Sequence, residues 1–166
     1  GGEVITPDDI AGMREKIMND YGFDPEDVAV QEGVPPELFL RLLFKENRGR
    51  QGPKSPKGAI GLAQLMPATA RQTAKKVGLK PSKNSLYDPQ YNITLGSTYL
   101  ADMYQRFNNN RALATAAYNA GPHRVKKWVE SSAGLPIDVW VETIPYDETR
   151  RYVKNVLAFD AIYQHK

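Results

Sequence analysis

A mainly α, single-domain fold is what this sequence predicts, and three observations predict it. Apolar residues recur at three- and four-residue spacing in one stretch after another. Most of these stretches open on proline and several close on glycine. No stretch shows the apolar–polar alternation of a half-buried strand, and no internal repeat or low-complexity tract interrupts the pattern. The 166 residues suffice for one domain with a real core, and 41% hydrophobic against 25% charged residues is the balance of an ordinary globular chain.

The elements follow in order. Thr6-Pro7-Asp8-Asp9 is a helix start, with a capping hydroxyl, proline at the first position and acids that suit the helix dipole. Ile10, Met13, Ile17 and Tyr21 continue at helical spacing to Gly22. A short helix begins near Pro25 and breaks at Gly33. Pro35-Pro36-Glu37 opens the next, in which Leu38, Leu42 and Leu43 form one stripe with Phe39 beside it, ending around Arg48-Gly49. From Gly49 to Ala63 come four glycines and two prolines, the composition of a loop or a small irregular sheet. Pro67 starts a helix that ends near Gly78, and Pro81 to Ser85 is a loop. Asp88-Pro89 caps a longer helix with Ile93, Gly96, Leu100, Met103 and Phe107 on its buried face. After the Asn108-Asn109-Asn110 turn, an alanine-rich helix spans residues 111 to 119. Gly121-Pro122 ends it and begins another carrying Val125, Trp128 and Val129. Gly134 to Pro136 is a loop. A final helix after Pro145 runs to about Gln164, with Tyr152, Val156, Phe159 and Tyr163 on one face.

Composition closes several functional routes. There are no cysteines, so disulfides and thiolate chemistry are excluded. Only His123 and His165 supply imidazoles, far apart in sequence, so neither a metal site nor any cofactor is expected. No apolar run reaches bilayer length, so the chain is not expected to span a membrane. The start, Gly1-Gly2-Glu3, lacks the basic-then-apolar pattern of a signal peptide, which leaves an exported parent protein open. A net charge of +3 favours an anionic polymer or reflects no more than scattered surface lysines. Lys126-Lys127 and Arg150-Arg151 are isolated basic pairs without a nucleic-acid motif, so no nucleic-acid partner is expected.

Glu46 is the residue to notice. It follows Leu42 by four positions, Leu43 by three and Leu38 by eight, which puts its carboxylate on the apolar stripe of its helix. A carboxylate there, facing a glycine-rich loop, is partly desolvated, and desolvation favours the protonated form that a general acid needs. The competing reading is a glutamate snorkelling at a helix end beside Lys45 or Arg48.

The neighbouring residues weigh against that reading. Glu46 is followed nine positions later by Ser55, then by Gly58-Ala59-Ile60-Gly61-Leu62-Ala63-Gln64-Leu65-Met66-Pro67 with Thr69-Ala70. Further on stand Ala116-Ala117-Tyr118-Asn119-Ala120-Gly121-Pro122 with Arg124, Val125 and Trp128. Glu142-Thr143-Ile144-Pro145-Tyr146, Glu148-Thr149-Arg150 and Tyr152-Val153-Lys154-Asn155-Val156 complete a third block. These three blocks, in this order and over residues 34 to 164, resemble the bacterial soluble lytic transglycosylases. The sequence departs from that family's pattern at Asn47, where serine is usual, at Gly49, Arg50 and Gln51, and at Ala63, where methionine is usual.

The resemblance implies a lysozyme-like, goose-type helical fold with a short irregular or small β region. It implies residues 34–166 as the catalytic domain; residues 1–33 match nothing in that pattern and read as an N-terminal helical extension, packed on the domain or serving as a joint to a partner domain. Its substrate would be peptidoglycan, cleaved without water between N-acetylmuramic acid and N-acetylglucosamine to leave a 1,6-anhydro end, with Glu46 as acid and then base. Ser55, Gln64, Met66, Tyr118, Asn119 and Glu148 would line the glycan groove. Read from the residues alone, Tyr118 also suits a core, Asn119 a helix end, Ser55 a turn cap, and Gln64 and Met66 loop filling. Glu148 also reads as a solvent-facing or helix-start acid, a reading preferred for Glu142, and Trp128 and Trp140 read as core. Two other functions stay open at this point: a hydrolytic muramidase with a second carboxylate, and a glycan-binding module without turnover. The expected setting is the periplasm, cell envelope or a phage particle, as a monomer or within an envelope, secretion or virion assembly.

Overall fold

The computed structural model describes residues 4–48, 52–80 and 85–157. Nine α-helices appear among them: α1 Pro7–Tyr21, α2 Pro25–Glu32, α3 Pro36–Asn47, α4 Pro67–Lys76, α5 Pro89–Arg106, α6 Arg111–Ala120, α7 Pro122–Ser131, α8 Ile137–Glu142 and α9 Asp147–Leu157. One 3-10 turn lies at Ser85–Tyr87. Six of the helices carry proline in the first turn, where its missing N–H costs no hydrogen bond. Thr6 and Asp9 form a reciprocal capping box. Asp24, Asp88 and Asn110 cap α2, α5 and α6 through their side chains.

The core is built around α3, α5 and α6. Leu38, Phe39, Leu42 and Leu43 of α3 are all but inaccessible, as are Ile93, Leu100 and Met103 of α5 and Ala114, Ala116 and Ala117 of α6. The alanines let α6 settle closely between α5 and α9. α2 packs on α3 and α5 through Val28 and Ala29, and α1 packs on α3 and α2. Of the apolar face read for α1, only Ile17 is fully buried, and Tyr21 is about half exposed.

The segment between α3 and α4 is irregular. It is held by two isolated antiparallel bridges, Lys54 with Ile60 and Ile60 with Leu65. Asn92 of α5 fastens it from beneath. Its Nδ2 donates to Ile60 O at 2.9 Å and Leu86 O at 3.0 Å, and its Oδ1 accepts from Ala63 N at 2.7 Å. Gly61 sits so close, at φ 79°, that a Cβ there would fall 2.2 Å from Asn92 Nδ2.

Helix α8 departs from the sequence reading, which left residues 137 to 144 unassigned. It has only six residues, too short to show a period, and forms because Trp140 and Val141 bury themselves beside α9. The reading of the last helix holds for α9 up to Leu157, while Phe159, Tyr163 and Gln164 lie outside the described residues. So do Gly49, Arg50 and Gln51, His165 and most of the Pro81 to Ser85 loop.

Candidate active site

Glu46 stands in the last turn of α3, where the apolar stripe leads its side chain to the edge of the core. It is half-buried, and its Oε2 accepts a hydrogen bond from the Tyr152 hydroxyl at 2.7 Å. Tyr152 comes from α9 and is itself buried, 4% exposed. Burial, and then the charge of Glu46, push the Tyr152 phenol well above its ordinary pKa, so it stays a donor at any physiological pH.

Glu46 opens into a cleft of about 570 Å³ between α3, the irregular segment, α6 and α9. All six residues expected to line a groove border this one cleft: Ser55, Gln64, Met66, Tyr118, Asn119 and Glu148. Each is placed by its own local structure. Ser55 closes the turn before Gly58, its Oγ accepting from Ala59 N at 3.0 Å, so the capping reading describes its observed bond. Gln64 takes the left-handed backbone, φ 50°, and its amide donates to Gly61 O at 2.8 Å. Met66 is 44% exposed at the head of α4. The Tyr118 hydroxyl donates to Ala63 O at 2.6 Å, and its ring lies 5.4 Å from that of Tyr99. Burial pushes Tyr118 well above the usual phenol range and Tyr99 up to about 12. Asn119 Oδ1 accepts from Thr149 Oγ1 of α9 at 2.7 Å, which joins α6 to α9 at the cleft wall. Glu148 sits at the rim, 69% exposed, with Lys57 Nζ 3.5 Å away across the opening.

Two contributions escaped the sequence reading. The sequence places Tyr152 on one face of the last helix and in the third family block, but nothing in its spacing points to Glu46, 106 residues away. Tyr99 lines the cleft from α5 and was not singled out. Asn47, at a position where the family pattern has serine, donates through Nδ2 to Leu43 O at 2.7 Å and Leu62 O at 2.8 Å. It thereby ties the end of α3 to the irregular segment. Trp140 is core, and Trp128 is partly buried with its edge against Tyr146. Glu142 is exposed and paired with Lys154, at the end of α8 rather than at a helix start. Among the described residues no three His, Cys, Asp or Glu side chains converge as a metal site, and no helix is long and apolar enough to cross a membrane.

The fold belongs to the lysozyme-like helical class, as its similarity to solved lytic transglycosylases shows. The chain is a member of the SLT transglycosylase family: the family model described as Transglycosylase SLT domain matches residues 25–141, and that described as Soluble lytic transglycosylase helical domain matches residues 143–166. The chain is 45% identical over 135 residues to the soluble lytic murein transglycosylase of Escherichia coli K12, covering 80% of this chain and 21% of that protein. It is 51% identical over 115 residues to the Salmonella typhimurium protein of the same name, covering 68% of this chain and 18% of that one. The structure is similar to the 70 kDa soluble lytic transglycosylase of Escherichia coli, with TM-score 0.75 and 40% identity over 90% of this chain and 25% of that chain. It is also similar to an inactive glutamate-to-glutamine mutant of the lytic transglycosylase Slt from Pseudomonas aeruginosa, with TM-score 0.74 and 43% identity over 84% of this chain and 23% of that one. The chain thus spans about a fifth of the length of these two curated relatives.

Proposed function

We propose that this domain is the catalytic part of a peptidoglycan lytic transglycosylase, with Glu46 as general acid and then general base. The observation that carries the reading is the hydrogen bond from buried Tyr152 to half-buried Glu46 at a cleft sized for sugar rings. Protonated Glu46 gives its proton to the glycosidic oxygen as the C1–O bond of N-acetylmuramic acid breaks. The sugar's own acetamido group supports the positive charge that develops at C1. The carboxylate then takes the proton of the C6 hydroxyl, O6 bonds to C1, and a 1,6-anhydro end forms while the acid is regenerated. No water enters, because the nucleophile is already part of the bound sugar. Tyr152 donates to the ionised carboxylate between the two proton transfers and fixes its direction.

Ser55, Gln64, Met66, Tyr118, Asn119 and Glu148 would contact the glycan. The other acid lining the cleft, Glu148, is largely exposed and faces Lys57, which suits a rim contact better than water activation. The relatives support the reading, being murein transglycosylases by name, and one is inactive with glutamate replaced by glutamine. The domain would work where peptidoglycan lies, in the periplasm or envelope or from a phage particle.

Mass spectrometry of purified peptidoglycan digested with the protein and with Glu46→Gln tests this. Muropeptides one water lighter than hydrolysis products, absent with Glu46→Gln, are expected. Ordinary reducing ends would make the protein a muramidase, and binding without turnover would make it a glycan-binding module.

A further inference from the structure

Arg41 lies on α3, five residues before Glu46, and its half-buried guanidinium is committed to backbone carbonyls of two other segments. Nε donates to Val156 O at 2.5 Å and Nη2 to Asn155 O at 3.4 Å, both in the last described turn of α9. Nη1 donates to Ile5 O at 3.3 Å, in the segment that leads into α1. Burial pushes the guanidinium pKa down from its usual value, yet arginine keeps its charge in proteins and so remains a full donor.

These bonds stand at one end of a seam whose other end is the Glu46–Tyr152 contact. As α3 runs from Arg41 to Glu46, α9 runs back from Val156 to Tyr152, so the two helices are antiparallel along this seam. Five residues of α3 rise about 7.5 Å and four residues of α9 about 6 Å. The two polar contacts therefore bracket a short, nearly matched length of both helices. Between them the buried residues are apolar: Leu42 and Leu43 of α3 and Val153 of α9. Apolar packing is non-directional and tolerates small slides. A hydrogen bond weakens beyond about 3.2 Å. A slide of α9 by a fraction of an ångström would keep the core and loosen the bond to Glu46.

We propose that Arg41 is a positioning residue, one that sets the register of α9 on α3 and so holds the Tyr152 hydroxyl on Glu46. The planar fork of arginine holds Val156 O closely while it reaches Asn155 O and Ile5 O with weaker, longer bonds, where a lysine ammonium offers its donors from a single atom. The proposal rests on the reading of Glu46 as the acid-base.

Arg41→Lys and Arg41→Gln, each alone and combined with Tyr152→Phe, test it on purified peptidoglycan. Arg41→Lys is expected to lower kcat about tenfold with KM within about twofold. In the Tyr152→Phe background it is expected to lower kcat less than about twofold, because the contact it serves is already gone. Losses that multiply, or a change in KM alone, would overturn the assignment. Arg41→Gln serves the same cycle if the lysine variant fails to fold, which melting curves reveal. A readout without substrate separates this inference from the functional one. In NMR spectra of the free protein, the Tyr152 hydroxyl proton should shift or exchange faster in Arg41→Lys. An unchanged resonance would defeat the positioning role even for an active enzyme. Absence of anhydro products from the wild-type protein would defeat the transglycosylase reading and leave the NMR outcome to decide the role of Arg41.

Discussion

The Tyr152 hydroxyl and the Glu46 carboxylate meet at 2.7 Å, joining α9 to the end of α3 inside the wall of the cleft. Both helices bring an apolar stripe to the contact, so the polar pair sits at the border of the core rather than in open solvent. A hydrogen bond to a charged partner contributes about 1.5–3 kcal/mol. If the ionised carboxylate is an intermediate of the reaction, that energy acts on the rate.

Tyr152→Phe keeps the ring and removes only the donor. Turnover of peptidoglycan is expected to fall about 10- to 100-fold, with KM changed little, because the lost bond is strongest when Glu46 is charged. Steady-state release of anhydro muropeptides measures it. Wild-type rates in the phenylalanine variant would remove Tyr152 from the mechanism.

Gly96→Ala tests how closely α5 meets the floor of the cleft. A Cβ at Gly96 would fall 2.4 Å from Ala63 Cβ and 3.2 Å from the Tyr118 hydroxyl. Alanine improves helix propensity by about 1 kcal/mol, while overpacking costs about 1–3 kcal/mol. The clash is with backbone-near atoms that cannot swing aside, so overpacking should win. The melting temperature is expected to drop, and activity with it, since Ala63 precedes cleft-lining Gln64. A stabilised variant would show that the irregular segment yields freely.

Much of this arrangement was legible in the sequence, and the reasons are local. Thr6-Pro7, Asp24-Pro25 and Asp88-Pro89 announce helix starts because cap and proline act within one turn. The position of Glu46 on the stripe of Leu38, Leu42 and Leu43 follows from helical spacing alone. Gathering Ser55, Gln64, Tyr118 and Asn119 around it came from the family resemblance, not from spacing. What stayed hidden depends on contacts between distant segments: Tyr152 with Glu46, Arg41 with Val156 and Asn92 with Ile60. An asparagine inside a helix looks like an ordinary polar residue until the carbonyls it serves are folded over it.

Asn92→Ala follows from that observation. Asn92 is fully buried and makes three hydrogen bonds, two to the irregular segment and one to Leu86 of the 3-10 turn. Removing it leaves Ala63 N–H and two carbonyls without this partner and opens a small void. Such losses cost about 2–4 kcal/mol in total. In a domain of this size that is roughly 5–15 °C in melting temperature. Calorimetry measures it, and a shift below about 2 °C would mean that water or a rearranged loop restores the bonds.

The pair Arg14–Asp24 predicts a pH dependence of stability. Arg14 donates to both carboxylate oxygens of Asp24, Nε at 2.9 Å and Nη2 at 2.6 Å, and this holds the Asp24 carboxyl below its usual range. Its folded pKa is thus lower than its unfolded one. The stabilisation is therefore complete above the unfolded value, about 3.9, and fades as pH falls toward and through the folded value. Asp24→Asn keeps an oxygen to cap α2, where Glu26 N now donates to Asp24 at 2.9 Å, but loses the charge pair. The variant should melt below wild type at pH 7, and the gap should close between about pH 4 and the folded pKa of Asp24. Arg14 also reaches Glu26 at 3.3 Å and is partly exposed, so the gap should be modest and shrink with added salt. A gap that stays constant down to pH 2 would assign the effect to the cap and not to the ion pair.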